Sequence, residues 1–147
     1  MAFEDIEAVN PAKAAPAAVP PHGVAVSARK LGTRNGVTAR YIKILIGPKL
    51  AEAISLVKDE CNLRLAFGTG DDAGLIQVVI DNAKGPFLAK RQKTGAYALT
   101  INAATADGLF SLDFPRFDCE RLEALRPSVG QPPHFVFCAS EQMLAVD

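Results

Sequence analysis

At 147 residues, with 49% of them hydrophobic and a formal net charge of zero, the chain has the size and composition of one ordinary globular domain. No apolar run approaches the roughly 20 residues of a spanning helix, and the acidic start Met1-Ala-Phe-Glu-Asp-Ile-Glu7 lacks the positive start and apolar centre of a secretory signal. A cytoplasmic protein is therefore expected. Cys61, Cys119 and Cys138 form no C-x-x-C pair, and they read as small apolar residues in a reduced compartment.

Residues 1–23 mix alanine and proline in Asn10-Pro-Ala-Lys-Ala-Ala-Pro-Ala-Ala-Val-Pro-Pro21, which cannot hold a helix and has little to bury. They are expected to form a disordered arm. Residues 24–147 are expected to form a single globular domain of α+β, mainly β class. Val24-Ala-Val-Ser-Ala-Arg-Lys-Leu31 alternates as a strand, and Asn35-Gly36 is a hairpin turn because both residues tolerate positive φ. Val37-Thr-Ala-Arg-Tyr-Ile-Lys-Ile-Leu-Ile46 returns from it. Gly47-Pro48 stops that strand, and proline suits the first turn of a helix. Leu50, Ala53, Ile54 and Val57 then fall on one face of a helix of about two to three turns. Residues 62–67 and 75–80 form a strand pair around Gly68-Thr-Gly-Asp-Asp-Ala-Gly74.

Residues 87–101 form a further hairpin around Lys93-Thr-Gly95. Leu109-Phe-Ser-Leu-Asp-Phe-Pro115 reads as a strand and Cys119-Glu-Arg-Leu-Glu-Ala-Leu125 as a helix. His134-Phe-Val-Phe-Cys138 and Gln142-Met-Leu-Ala-Val146 read as a closing strand pair. The chain then holds a strand–strand–helix–strand–strand unit twice, unit one over 24–82 and unit two over 83–147, with Pro48 aligned to Pro115. Two copies of one unit can bury each other's apolar faces.

Ile44-Leu-Ile-Gly-Pro48, Leu50-Ala-Glu-Ala-Ile54, Leu63-Arg-Leu65 and Ile76-Gln-Val78 give the unit a likeness to a known family. It resembles the swapped-hairpin fold of AbrB-like regulators and MazE-type antitoxins, over residues 28–80 and more weakly over 95–146. Lys58-Asp-Glu60 stands where that family has Gly-Asp before its third strand, and the second unit is acidic. The resemblance implies tandem units interleaved as a small swapped-hairpin β-barrel pseudo-dimer. It also implies that basic residues near the hairpins contact DNA.

Charge is unevenly placed. Residues 28–67 carry five more cations than acids, and residues 105–147 four more acids than cations. Such asymmetry points to an anionic partner on one side, or to two halves that attract each other. The first hairpin holds Arg29, Lys30, Arg34, Arg40 and Lys43, with Asn35 at its turn. Lys90, Arg91 and Lys93 occupy the second unit's hairpin, and duplication is expected to point both hairpins the same way. Lysine and arginine neutralise phosphates, and arginine also reads guanine bidentately, so these residues are the candidate contacts to double-stranded DNA. The plainer role for the same cations is a solvated sheet edge protected against aggregation.

The competing function is a non-enzymatic protein-interaction module, of phage or accessory type, docking on a larger protein. Its contacts would come from the N-terminal arm and from the acidic half that holds Phe110, Phe114, Phe117, Phe135 and Phe137. Gly68-Thr-Gly70 lacks both the Gly-Lys-Ser/Thr ending and the following helix of a phosphate loop. Asp71-Asp72 offers too few oxygens for a metal cage, and His22 and His134 sit in no nucleophile or metal motif. No catalytic residue, metal or cofactor is expected.

Overall fold

Alternation builds the first hairpin. In β1 (Val24–Arg34) and β2 (Val37–Ile46), Val24, Val26, Ile42, Ile44 and Ile46 share one face and are fully buried. They do so because opposed residues of an antiparallel pair point the same way, and the register sets Val24 against Ile46 and Val26 against Ile44. The computed structural model describes residues 19–34, 37–56, 58–68, 70–125 and 133–145, with side chains left out over 31–34 and 37–38. The expected arm therefore falls outside the described residues as far as residue 18. Residues 19–23 are described: the Pro21 carbonyl accepts from the Lys49 and Leu50 amides at 2.9 and 3.0 Å, and the His22 carbonyl from Leu122 at 2.7 Å.

The fold is mainly β. Among the described residues six more strands follow: β3 (Glu60–Phe67), β4 (Leu75–Ile80), β5 (Phe87–Arg91), β6 (Tyr97–Asn102), β7 (Phe117–Cys119) and β8 (His134–Cys138). All pairings are antiparallel, in the order β7-β1-β2-β6-β5-β3-β4-β8. The two ends of that order approach each other. The Cys119 thiol on β7 donates to the Cys138 carbonyl on β8 at 3.4 Å, and Leu125 and His134 exchange backbone hydrogen bonds at 2.6 and 3.0 Å. The sheet thus curls into a nearly closed barrel. Its interior is filled by Leu63, Tyr97, Leu99, Phe135, Phe137 and Met143 together with the β1–β2 residues. No helix among the described residues is long and apolar enough to cross a membrane.

Helix α1 (Pro48–Ala53) starts on its proline as expected, but it is only six residues long. Ser55 takes a left-handed φ of 67°. Its amide bonds the Glu52 carbonyl while the Leu56 amide bonds that of Ala51, at 3.0 and 2.9 Å. This paired closure satisfies the last carbonyls and ends the helix early. Leu56 consequently turns inward, and the buried set is Leu50, Ala51, Ile54 and Leu56. Ala53 is only half-buried, and Val57 lies outside the described residues. Gly47 and Gly23 are required here by close approach. A methyl at Gly47 would run into the Pro20 carbonyl, and one at Gly23 into the carbonyl of Cys119.

The second half departs from expectation in three places. The helix after the second hairpin is α2 (Ala103–Ala106), started by the Asn102 side chain accepting from the Thr105 amide at 2.8 Å. It is not the stretch 119–125, where Arg121 has a left-handed φ of 59° that no helix accommodates. Residues 109–115 form no strand, because the Ser111 hydroxyl bonds both the amide and the carbonyl of Asp113 at 3.1 Å and folds the chain locally. Finally, residues 142–145 are not a strand, and Val146 lies outside the described residues. Ser140 accepts from the Met143 amide at 3.2 Å and caps helix α3 (Glu141–Leu144), which drops Met143 into the core. Pro48 at the start of α1 therefore corresponds in element order to Ala103, not to Pro115.

Candidate nucleic-acid interface

The faces of β1, β2, β5 and β6 that point away from the core follow from the same alternation. With Ile42, Ile44, Leu99 and Ile101 inside, Tyr41, Lys43, Thr100 and Asn102 stand outside. Lys43 lies between Ser27 on β1 and Thr100 on β6, and Tyr41 lies between Arg29 and Asn102. On β5, Ala89 is fully buried, so Lys90 faces out, opposite Ala98. Arg29, Lys43 and Lys90 thus come together on one outer face. The Arg29 guanidinium Nε donates to the Ser27 hydroxyl at 3.0 Å, which holds its stem along the sheet.

Acids bound this face on both sides. Glu60 on β3 stands across from Lys90, and Asp118 on β7 stands across from Ala25 and pairs with Arg116 at 3.0 Å. Strands β5 and β6 are paired only at Lys90↔Ala98 and Arg91↔Tyr97. Beyond that they fork, leaving a trough of about 770 Å³ whose walls include Leu88, Lys90, Thr100 and Asn102. Apolar Phe87, Leu88 and Leu99 share that lining with the Lys90 ammonium, the Thr100 hydroxyl and the Asn102 amide, and the last three are groups that protein surfaces present to phosphate and sugar.

The remaining candidates lie elsewhere. Lys30 and Arg40 face each other directly across β1 and β2, with the inward-facing set but past the packed core. The side chain of Arg34, and Asn35 altogether, lie outside the described residues. Arg91 is engaged with its neighbours in the fold. It pairs with Asp59 at 3.3 Å, its Nε donates to the Tyr97 hydroxyl at 3.2 Å, and its guanidinium lies 5.7 Å from that ring's centre. The Tyr97 hydroxyl in turn donates to the Lys58 carbonyl at 2.5 Å. Lys93 sits in the β5–β6 turn. Because Tyr41 pairs with Asn102 and Ile46 with Tyr97, that turn lies at the opposite end of the sheet from the β1–β2 tip. The two basic hairpins therefore point in opposite directions, not the same way. Neither charge nor motif sets Tyr41, Thr100 and Asn102 apart in the sequence. Their signal is the period-two alternation with the buried isoleucines.

The five C-terminal phenylalanines serve mainly as core: Phe114, Phe135 and Phe137 are buried, and Phe110 and Phe117 are half-buried. At the seam, burial pushes the Cys119 thiol above its ordinary value. This outweighs the lowering by its backbone hydrogen bond to Cys138, and the charges of Cys138 and Asp118 push the same way as burial. A thiol whose folded value is raised favours the native state below its ordinary range and loses that contribution as pH rises through it. Iodoacetamide at about pH 8 is expected to label exposed Cys138 first, Cys119 more slowly and buried Cys61 last, because only thiolates react. Mass spectrometry of timed aliquots reads the order, and Cys119 labelled first would contradict it.

Comparison with protein-family models, with curated proteins and with solved structures finds no match.

Proposed function

We propose that this chain is a DNA-binding protein of the AbrB-like regulator kind, without catalytic activity, that lays the outer face of β1-β2-β6-β5 on duplex DNA. The observation that carries this reading is the gathering of Arg29, Lys43 and Lys90 from three strands onto one face. Among the described residues none of the three is held in an ion pair. Neighbouring strands lie about 4.8 Å apart, so the cations span roughly 15–20 Å across the sheet. Duplex DNA carries one charge per about 1.7 Å of axis, so a face of this width meets several phosphates at once. Tyr41, Thr100 and Asn102 add donors among the cations.

Interleaving of two hairpin units is the finer part of the proposal. Exchanging β1–β4 with β5–β8 turns the strand order into β3-β5-β6-β2-β1-β7-β8-β4. Read backwards around a barrel, this is the same ring of neighbours. Strands β2 and β6 sit side by side, as strands related by a two-fold would, and each is followed directly by a helix. One chain then supplies both halves of a pseudo-dimer, with β7 beside β8 as the counterpart of the laddered β3–β4 pair.

Titrating a fluorescein-labelled duplex with the protein at about 50 mM salt tests the reading. Anisotropy is expected to rise with a micromolar dissociation constant, within the range of non-specific phosphate binding. A flat trace up to about a hundred micromolar protein would sink it.

A further inference from the structure

At the end of the barrel that carries the β3–β4 turn, the apolar surface stays open. Phe67, Leu109 and Leu144 are 53, 38 and 39% exposed, and they are three of the five exposed large hydrophobic residues among those described. With Leu75, Gly108 and Phe110 they line a cup of about 200 Å³. Gly108 holds a positive φ of 74° with open space beside it, and Leu144 comes from α3 to close the side next to Gly74. A cup of this size suits one side chain: apolar cavities of about 150 Å³ already hold benzene. Pockets for larger ligands start at about 300 Å³.

The rim of this cup is acidic. Asp71 and Asp72 form the exposed turn between β3 and β4, Asp107 precedes Gly108, and exposed Glu141 begins the helix that delivers Leu144. The segments 67–68, 70–76, 106–115 and 139–145 around the cup contain no lysine or arginine, whereas the β1–β2 hairpin at the same end of the barrel carries Lys30 and Arg40. An apolar socket with acidic groups at its rim disfavours acidic peptides and attracts a segment of opposite sign. We propose that this cup receives one large apolar side chain, phenylalanine or leucine, from a partner protein's segment flanked by lysine and arginine. The site is separate from the cationic face and does not depend on it.

The test uses labelled synthetic peptides with the full chain. One peptide has a single central phenylalanine flanked by lysines and arginines. A second has alanine at the centre, and a third keeps the phenylalanine but has glutamates at the flanks. The first is expected to bind about tenfold tighter than either control at about 50 mM salt, because both anchor and flanks contribute. Leu109→Asp in the exposed turn, and separately Asp71→Lys with Asp72→Lys, are expected to weaken the first peptide about tenfold or more. Both variants should keep the wild-type circular dichroism spectrum and melting temperature. Equal binding of the phenylalanine and alanine peptides, or wild-type affinity in both variants, would overturn the proposal. So would sedimentation showing a wild-type dimer that Leu109→Asp converts to monomer, since the cup would then belong to a second copy of this chain.

Discussion

Phe135→Ala lowers the free energy of unfolding by about 3–5 kcal/mol, the usual cost of emptying a buried phenylalanine site. Phe135 is fully buried on β8, opposite Val78, and its ring centre lies 6.4 Å from that of Phe137. The cost falls at the upper end for a structural reason. Among the described residues strand β8 has a ladder only with β4; on its other side it meets β7 through the Cys119–Cys138 contact, and the chain beyond β7 through the Leu125–His134 bridge. Little else on that side draws the barrel closed around a cavity. Because a domain's whole stability is about 5–15 kcal/mol, the variant approaches the folding threshold. Thermal denaturation should show a fall of roughly 10–20 °C. A fall of under about 3 °C would mean that the ring is not a core residue.

The second large effect is on binding. Replacing Arg29, Lys43 and Lys90 together by alanine is expected to weaken duplex binding about a hundredfold or more near 0.1 M salt, because each lost phosphate contact forfeits close to a tenfold counterion-release term. All three side chains stand outside the core, so the melting temperature should stay within a few degrees of wild type. Arg91→Ala supplies the contrast. Its guanidinium is engaged with Asp59 and Tyr97, and its loss should lower the melting temperature while leaving DNA affinity nearly unchanged. If Arg91→Ala proved as damaging to binding as the triple variant, the assignment of roles on β5 would be wrong.

The first half of the fold is legible because its signals are local. Val24, Val26, Ile42, Ile44 and Ile46 alternate, Gly47-Pro48 marks a stop and a start, and the glycines at 68, 70 and 74 bracket a hairpin. The second half misleads because competing local chemistry wins. Ser111 and Ser140 spend their hydroxyls on turns and caps, so apolar alternation at 109–115 and 142–145 makes no strand. Arg121 breaks what reads as a helix over 119–125. No local pattern reveals that β6 lies beside β2 and β5 beside β3, and those pairings decide which cations gather. Lys43 and Arg29 are therefore readable as outward residues of one hairpin, whereas Lys90 joins them only through β6. Arg91 follows Lys90 as a second cation in sequence, and only the fold brings it against its distant partners Asp59 and Tyr97.

The claim that the outer sheet face binds DNA through its cations is tested most directly by the salt dependence of duplex binding. Plotted as log K against log salt between about 50 and 200 mM, wild type should fall with a slope near −3, about −0.9 for each neutralised phosphate. Lys43→Ala should flatten that slope by about one. A wild-type slope near zero, or one that Lys43→Ala leaves unchanged, would contradict it.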